Sequence, residues 1–251
     1  MLMKKSKNTY SNEEGYLPSR KSLHEDILRE SQRPHQSQQQ PFAFLMGGGS
    51  ASGKTVLRGI IVDEQRALGN DFLIIDADEI KKLLPEYPML LKKDPKQMAK
   101  WLHDESSDIA AALLQNSAEK KLNTVYDGTM KNYEKYNEII STLKSLGYKV
   151  RIVIADVDID EAMRRNEDRF LRTGRFVPVS ELRQSHIGVA AVFQQLKDRA
   201  DEYILYDTSD GFDVFAYKFI GEGEFVCNVE RLNLFLQKSG LEVDPLERKS
   251  S

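Results

Sequence analysis

A glycine-rich segment near residue 50 has the residue types and spacing of a phosphate-binding loop. An apolar run that begins at Phe42 leads into the pattern Gly-x-x-x-x-Gly-Lys-Thr. In this pattern loop N–H groups surround phosphates, the lysine reaches the β- and γ-phosphates, and the threonine hydroxyl can bind Mg²⁺. The helix expected after the loop adds partial positive charge at its N-terminus. The pattern therefore predicts a nucleoside triphosphate site. Its predicted residues are Gly48, Gly49, Ser50, Ala51, Ser52, Gly53, Lys54 and Thr55, with Thr55 as the metal ligand.

Two aspartates follow the next predicted strand, which begins at Phe72. Asp76 and Asp78 lie where this strand gives way to a helix, so both carboxylates can face the γ-phosphate. An aspartate can accept the proton of an acceptor hydroxyl and orient its oxygen for phosphoryl transfer. We therefore predict Asp78 as the catalytic base and Asp76 as a substrate contact. The alternative is that Asp78 only caps the helix predicted over 79–84.

Further polar residues are expected near the same edge of the sheet. Asp127 and Thr129 follow a third predicted strand, and the carboxylate could hold a Mg²⁺-bound water or a sugar hydroxyl. The alternative for this segment is an ordinary strand-to-helix turn. Glu105, on a long predicted helix, could bind an acceptor hydroxyl if it faces the top of the sheet. His24 and His186 are predicted to be surface or packing residues.

Five arginines lie close together in the second half of the chain, at positions 164, 165, 169, 172 and 175. The predicted helix that carries most of them runs into a Thr-Gly-Arg loop before Pro178, an arrangement typical of a lid over a phosphate site. Guanidinium groups bind phosphate oxygens in a bidentate manner and stabilise charge in the transition state. We predict Arg169 and Arg175 as the catalytic pair. On a solvated helix the same residues would contribute little.

The order of the predicted elements indicates the fold that positions these residues. Strands and helices alternate, which favours a mostly parallel sheet with helices on both faces. The expected fold class is thus α/β, a three-layer P-loop NTPase fold. The predicted strands begin at residue 42 and cover 72–76, 123–127, 149–155 and 203–206, with an edge strand over 214–220. The predicted helices cover about 55–68, 79–84, 95–121, 133–146, 160–171 and 178–199.

Composition narrows the class of protein further. The 251 residues carry 36 Lys and Arg against 39 Asp and Glu, a net charge of -3 with no basic excess to favour a nucleic acid partner. The one cysteine, Cys227, excludes an internal disulfide. The N-terminus lacks the apolar core of a signal peptide, and no apolar run approaches membrane-spanning length. These features predict a cytoplasmic protein without a membrane partner.

Taken together, the motifs resemble a zeta toxin domain over residues 40–210, a family similar in fold to small P-loop kinases. The resemblance is carried by the glycine-rich loop, Ile75-Asp-Ala-Asp-Glu-Ile-Lys-Lys-Leu-Leu-Pro-Glu-Tyr87, His103-Asp-Glu-Ser-Ser107, Asp127-Gly-Thr129 and Thr173-Gly-Arg-Phe-Val-Pro178. Characterised members of the family phosphorylate UDP-N-acetylglucosamine on the 3′-hydroxyl of its amino sugar, and a small antitoxin holds them inactive. The resemblance implies ATP and Mg²⁺ as cofactors, a nucleotide sugar as substrate and an antitoxin as a possible partner.

The resemblance also implies roles for individual residues. Asp78 matches the catalytic base, Lys54 and Thr55 match the ATP·Mg²⁺ anchors, and Arg169 and Arg175 match the lid arginines. Thr129 matches a substrate-binding threonine, and Glu105 a substrate-contacting acid. Asp127 stands where these toxins commonly have a substrate-binding glutamate, so its carboxylate is one methylene shorter.

We expect three parts in the chain. Residues 1–40 form a polar N-terminal extension, mobile over about the first 15 residues, with a short helix that places Leu23, Ile27 and Leu28 on one face. Residues 41–210 form the zeta toxin-like P-loop kinase domain. Residues 211–251 add an edge strand and a helix that complete the core, followed by a polar tail.

The predicted function is transfer of the γ-phosphate of ATP to a small-molecule hydroxyl. The alternatives are a P-loop kinase of another acceptor, such as a nucleoside, an antibiotic or a polynucleotide end, and an ATP-binding partner protein without transfer activity. A GTPase switch is disfavoured because the sequence has no Asn-Lys-x-Asp guanine-binding motif.

Overall fold

The computed structural model describes residues 5–173 and 177–240 of the chain. The N-terminal part contains α1 (Ser6–Thr9), β1 (Ser11–Asn12), β2 (Gly15–Tyr16) and α2 (Pro18–Gln32). The central part contains β3 (Phe42–Gly47), α3 (Lys54–Ala67), β4 (Leu73–Asp76), α4 (Ala77–Leu83), α5 (Tyr87–Lys93), α6 (Pro95–Glu119), β5 (Thr124–Asp127), α7 (Tyr133–Ser145) and β6 (Lys149–Asp156). The remaining elements are α8 (Ile159–Thr173), α9 (Val179–Leu196), β7 (Glu202–Asp207), β8 (Asp213–Lys218), β9 (Glu224–Val226) and α10 (Val229–Gln237).

One seven-stranded sheet organises the fold, with the strand order β4-β5-β3-β6-β7-β8-β9. The strands from β4 to β7 run parallel, whereas β8 and β9 continue the sheet in antiparallel pairing. The register places Asp76 beside Asp127, and Asp127 beside Met46 of β3, just before the glycine-rich loop. The two acids and the loop therefore meet at one edge of the sheet, as the sequence predicts.

Alternate residues of the central strands enter two separate cores. Ala43 and Leu45 of β3 face a large core shared with α6, α7, α9 and α10, whereas Phe44 and Met46 face a smaller core beneath α3. Period-two alternation of this kind follows from strand geometry, and burial on both faces explains why β3 is apolar throughout. The predicted α/β fold, with a mostly parallel sheet and helices on both faces, is confirmed.

The N-terminal segment differs from the prediction. Residues 5–16, for which no regular structure was predicted, form α1 and the β1–β2 pair, and α2 is a fifteen-residue helix. Leu23, Ile27 and Leu28 join the large core, as their spacing predicts. Polar bonds add to this packing, because Lys5 contacts Asp104 of α6 at 2.7 Å. The described part of the segment thus packs against the large core and α6.

Most predicted helices and strands are present, with ends within about three residues of the prediction. Besides α1, β1 and β2, the short elements α5 and β9 were not predicted. The edge of the sheet is formed by β9 in place of β8. The helix predicted for the C-terminal part corresponds to α10, which packs Leu232, Phe235 and Leu236 into the large core. Among the residues that the structure describes, no helix has both the length and the apolar character needed to cross a membrane.

Candidate active site

The glycine-rich loop connects β3 to α3 and has the backbone conformation of a phosphate cradle. Gly53, the N-cap of α3, has a φ of 79°, and Ala51 has a φ of 63°. A left-handed backbone is rare for a residue with a Cβ, so Ala51 marks a constrained turn. The N–H groups of Lys54 and Thr55, at the start of α3, have no intrahelical partner by geometry and are available to an anion. Thr55, the predicted Mg²⁺ ligand, is exposed in this turn.

The carboxylates of Asp76 and Asp127 share the guanidinium group of Arg58. Arg58 lies one helical turn after Lys54 on α3, so the two cations point to the same side. Nη1 of Arg58 lies 2.6 Å from Oδ2 of Asp76 and 2.5 Å from Oδ2 of Asp127, while Nζ of Lys54 contacts Oδ1 of Asp127. Burial alone would lower the pKa of Arg58, but the two aspartates raise it. We call Lys54, Arg58, Asp76 and Asp127 the strand-end cluster.

Asp78 lies beside this cluster in the first turn of α4. Oδ1 of Asp76 accepts a hydrogen bond of 2.8 Å from the backbone N–H of Asp78, so the cap of α4 is Asp76. The alternative that Asp78 caps the helix is therefore wrong. The side chain of Asp78 is about half exposed and its Oδ1 lies 2.6 Å from Nζ of Lys81, whose side chain is only 8% exposed. The geometry leaves Asp78 accessible while an ammonium group holds one of its oxygens.

Thr129 is exposed just beyond β5, and its carbonyl accepts a 3.3 Å hydrogen bond from the N–H of Gly48. This bond ties the segment after β5 to the start of the phosphate loop. The hydroxyl of Thr208, after β7, donates to the carbonyl of Ser52 at 2.7 Å. Two loops at the carboxyl edge of the sheet thus support the cradle from different sides.

The arginines of α8 are divided between different partners. Nη2 of Arg169 donates to Oδ1 of Asn166 at 2.8 Å. Asn166 is almost fully buried and also bonds both backbone groups of Val177, at 2.8 and 3.1 Å, across the predicted lid. Arg165 was not predicted as a leading candidate, yet its Nη2 donates to the carbonyl of Thr208 at 2.6 Å. Arg175, the second predicted lid arginine, lies outside the described residues.

Glu105 lies in a different environment from the other predicted site residues. Its side chain is fully buried, with Nε and Nη2 of Arg20 and Nε2 of His24 bonded to its oxygens. Arg20 also binds both carboxylate oxygens of Glu86, at 2.8 and 2.9 Å. Burial alone would raise the pKa of Glu105, but the hydrogen bonds from His24 and Arg20 lower it to about 2. The structure thus does not bring Glu105 into the strand-end cluster.

Sequence reasoning missed Arg58 and the buried contacts of the two histidines, and it ranked Arg165 behind Arg169 and Arg175. The i, i+4 spacing of Lys54 and Arg58 was a signal for one of these residues. The others make contacts between distant parts of the chain, which spacing along a single element does not show. His24, with its bond to Glu105, is more than a surface or packing residue.

The phosphate cradle, its position at the carboxyl edge of a parallel sheet and the covering helices define a P-loop α/β protein with a kinase-like fold. Comparison with known families agrees. The family model described as "Zeta toxin" matches residues 25–216. The chain therefore belongs to the zeta toxin family.

Similar proteins with curated names are bacterial toxins. Toxin PezT of Streptococcus pneumoniae serotype 4 is 27% identical over 127 residues, which are 51% of this chain and 49% of PezT. Toxin zeta of Enterococcus hirae is 30% identical over 132 residues, 53% of this chain and 45% of the relative. The chain thus spans about half the length of the curated relatives that it matches.

Two solved structures share the fold over most of the chain. One comes from the molecular and structural characterization of the PezAT chromosomal toxin-antitoxin system of S. pneumoniae. It covers 89% of this chain and 95% of its own, with a TM-score of 0.64 and 19% identity. The other, AvrRxo1-ORF1:-ORF2 with ATP, covers 97% of this chain and 85% of its own, with a TM-score of 0.73 and 17% identity.

Proposed function

We propose that this protein is an ATP-dependent kinase that transfers the γ-phosphate to a hydroxyl of a small molecule, most specifically the 3′-hydroxyl of a nucleotide sugar such as UDP-N-acetylglucosamine. One observation carries the proposal. The lysine of the phosphate loop contacts the strand-end acid Asp127, Arg58 joins Asp127 to Asp76, and Asp78 follows two residues later. This connection supports a site in which the proposed donor-binding and acceptor-binding groups lie side by side.

The loop residues form the donor half of the proposed site. N–H groups of the loop and of the first turn of α3 bind phosphate oxygens, and Lys54 pairs with the β- and γ-phosphates. Lys54 contacts Asp127 in the structure, so nucleotide phosphates would compete with this carboxylate for the ammonium group. The Thr55 hydroxyl and the nearby carboxylates are hard oxygen donors that suit Mg²⁺. Bound Mg²⁺ neutralises charge on the phosphates during transfer.

Asp78 is the proposed base of the acceptor half. The proton of the acceptor hydroxyl passes to Asp78, the acceptor oxygen forms a bond to the γ-phosphorus, and the bond between that phosphorus and the bridging oxygen breaks to release ADP. Nζ of Lys81 lies 2.6 Å from Oδ1 of Asp78 and so holds the carboxylate in place for this step. The exposed half of the Asp78 side chain leaves room for a hydroxyl to approach.

Arg169 and Arg175 are proposed to stabilise charge on the transferring phosphoryl group. Asn166 supports this role, because it binds both Arg169 and the backbone of Val177 and so anchors the two sides of the lid. Asp76, Asp127 and Thr129 are the proposed substrate contacts. Glu105 stays a predicted substrate contact, but to bind substrate it would first have to release Arg20 and His24.

The test is mass-spectrometric detection of a phosphorylated product after incubation with ATP, Mg²⁺ and a panel of nucleotide sugars, nucleosides and oligonucleotides. We expect a mass increase of one phosphate on a nucleotide sugar. Asp78→Asn should keep ATP affinity but lose turnover by at least about a hundredfold, the usual contribution of a general base. Lys54→Ala should lose both. Phosphorylation of nucleosides alone would show that the acceptor is a nucleoside and not a nucleotide sugar. Absence of a phosphorylated product from the whole panel would refute phosphoryl transfer.

An antitoxin is the proposed protein partner. The support is membership of the zeta toxin family and the fold shared with a protein of the PezAT toxin-antitoxin system. The test is induced expression in a bacterial host, where the parent protein should stop growth and Lys54→Ala should not. Restored growth on co-expression of a small neighbouring reading frame would identify the antitoxin, whereas equal growth with both variants would argue against toxicity.

A further inference from the structure

The phosphate loop is held from the side by two consecutive residues of α9. Oγ of Ser185 accepts a hydrogen bond of 2.8 Å from the N–H of Ser50, and Nε2 of His186 lies 3.1 Å from the carbonyl oxygen of Ser50. A carbonyl oxygen only accepts hydrogen bonds, so Nε2 carries the proton and donates it. The side chains of α9 thus bind both the backbone N–H and the backbone carbonyl of Ser50.

Both residues of α9 are buried against the phosphate loop. The side chain of His186 is fully buried and Ser185 is 2% exposed. A Cβ at Gly49 would lie 2.3 Å from Cδ2 of His186, so the ring packs directly on the loop backbone. Gly49 does not have a positive φ, so its backbone conformation does not require glycine. Glycine is needed there because a side chain would collide with the imidazole.

The other side of the imidazole faces Asp156 at the carboxyl end of β6. Nδ1 of His186 lies 3.9 Å from Oδ1 of Asp156. Asp156 is also held by Lys238 at 2.8 Å and by Arg231 at 2.7 Å. Burial alone would raise the pKa of Asp156, but His186, Lys238 and Arg231 lower it, so the group behind the ring is a carboxylate. The ring thus lies between Asp156 and the Ser50 carbonyl, and its hydrogen bond to the described residues is the one from Nε2 to that carbonyl.

We propose that Ser185 and His186 are positioning residues for nucleotide binding. By holding the backbone N–H and carbonyl of Ser50, they fix the turn that follows, so that the N–H groups of Ala51 and of Gly53 to Thr55 converge on phosphate. This role rests on the proposed function, because it concerns the same nucleotide site. Preorganised donors cost little to order when the ligand binds, and a loop released from α9 would lose this advantage.

The experiment measures binding of the β,γ-imido analogue of ATP with Mg²⁺ by titration calorimetry, with thermal unfolding of each variant alongside. His186→Leu removes the donor and should weaken binding about tenfold, the change expected from losing one buried hydrogen bond. His186→Gln places an amide N–H near the position of Nε2 and should keep affinity within about threefold. Ser185→Ala should weaken binding about fivefold. Ser117→Ala, a buried serine of α6 that is bonded to Gln32, is the matched control and should bind like the parent.

The outcomes separate this role from the proposed function. If the parent does not bind the analogue, nucleotide binding itself is refuted, and this role with it. If the parent binds and a folded His186→Leu variant binds equally well, the role of α9 is refuted while the proposed function stands. If His186→Leu does not fold, Ser185→Ala decides, and unchanged affinity in that variant overturns the proposal. Weaker binding in both, with recovery in His186→Gln, supports it.

Discussion

Replacement of Glu105 by glutamine should destabilise the fold in a pH-dependent way. Glu105→Gln keeps the shape of the side chain but removes the charge that Arg20 and His24 bind. The ordinary pKa of this carboxyl group is 4.5, and in the folded protein it is about 2. Each pKa unit corresponds to about 1.4 kcal/mol, so the ionised group stabilises the fold by about 3 kcal/mol.

The sign of the pH dependence follows from the direction of this shift. Because the pKa is lower in the folded state, the unfolded chain binds the proton first as the pH falls. The stabilisation is nearly complete at about pH 5.5, and it falls to about 1 kcal/mol at pH 3. The difference in unfolding free energy between the parent and Glu105→Gln should therefore narrow by about 2 kcal/mol between these two pH values.

Urea unfolding of the parent and of Glu105→Gln, followed by circular dichroism at pH 5.5 and pH 3, measures the difference in unfolding free energy and its change with pH. The matched control is Glu30→Gln on α2, because the ion pairs of Glu30 with described residues are exposed ones, with Arg29 and Arg33 at 3.5 Å. Such surface pairs contribute little, so this variant should unfold like the parent at both pH values. A Glu105→Gln variant within about 1 kcal/mol of the parent at pH 5.5, or a difference that does not narrow, would refute the reasoning.

Three further substitutions test the site. Arg58→Met leaves Asp76 and Asp127 without their shared cation. It should lower the free energy of unfolding, measured in urea, by about 3 kcal/mol. An unchanged urea midpoint would contradict this prediction. Gly49→Ala should displace His186 and weaken binding of the ATP analogue about tenfold in calorimetry, whereas an added Cβ at Gly59 meets nothing within 4 Å. Gly59→Ala should therefore raise the unfolding free energy by about 0.5 to 1 kcal/mol; a loss would show that α3 is strained there.

The parts of the site that the sequence predicts are those encoded locally. The glycine-rich loop, the acids after β4 and β5, and the alternation of strands and helices are all visible in short windows. Strand ends were predicted closely because apolar runs stop where the polar edge of the sheet begins. Asp76 and Asp127 are neighbours in the structure because parallel strands align their carboxyl ends, and that rule needs no knowledge of side chains.

The parts that it does not predict depend on contacts between distant segments. Asp76 and Asp78 have the same residue type, and only the backbone shows which of them caps α4. Glu105 has the spacing of a site residue, but Arg20, 85 positions earlier, pairs with it inside the fold. Residues 5–16 are polar and gave no core pattern, and their structure comes from bonds to α6, such as that between Tyr16 and Asp108.

The contacts that hold the phosphate loop also decide when, during synthesis, the site can form. Ser50 is separated from Ser185 and His186 by 135 and 136 residues, and Ser52 is separated from Thr208 by 156. Ribosomes add residues from the N-terminus, so a nascent chain that has reached only α8 contains the glycine-rich motif without any of these partners. A chain that ends prematurely before β7 carries the motif but lacks the complete cradle. The complete cradle is therefore a late product of translation, although its motif is made early.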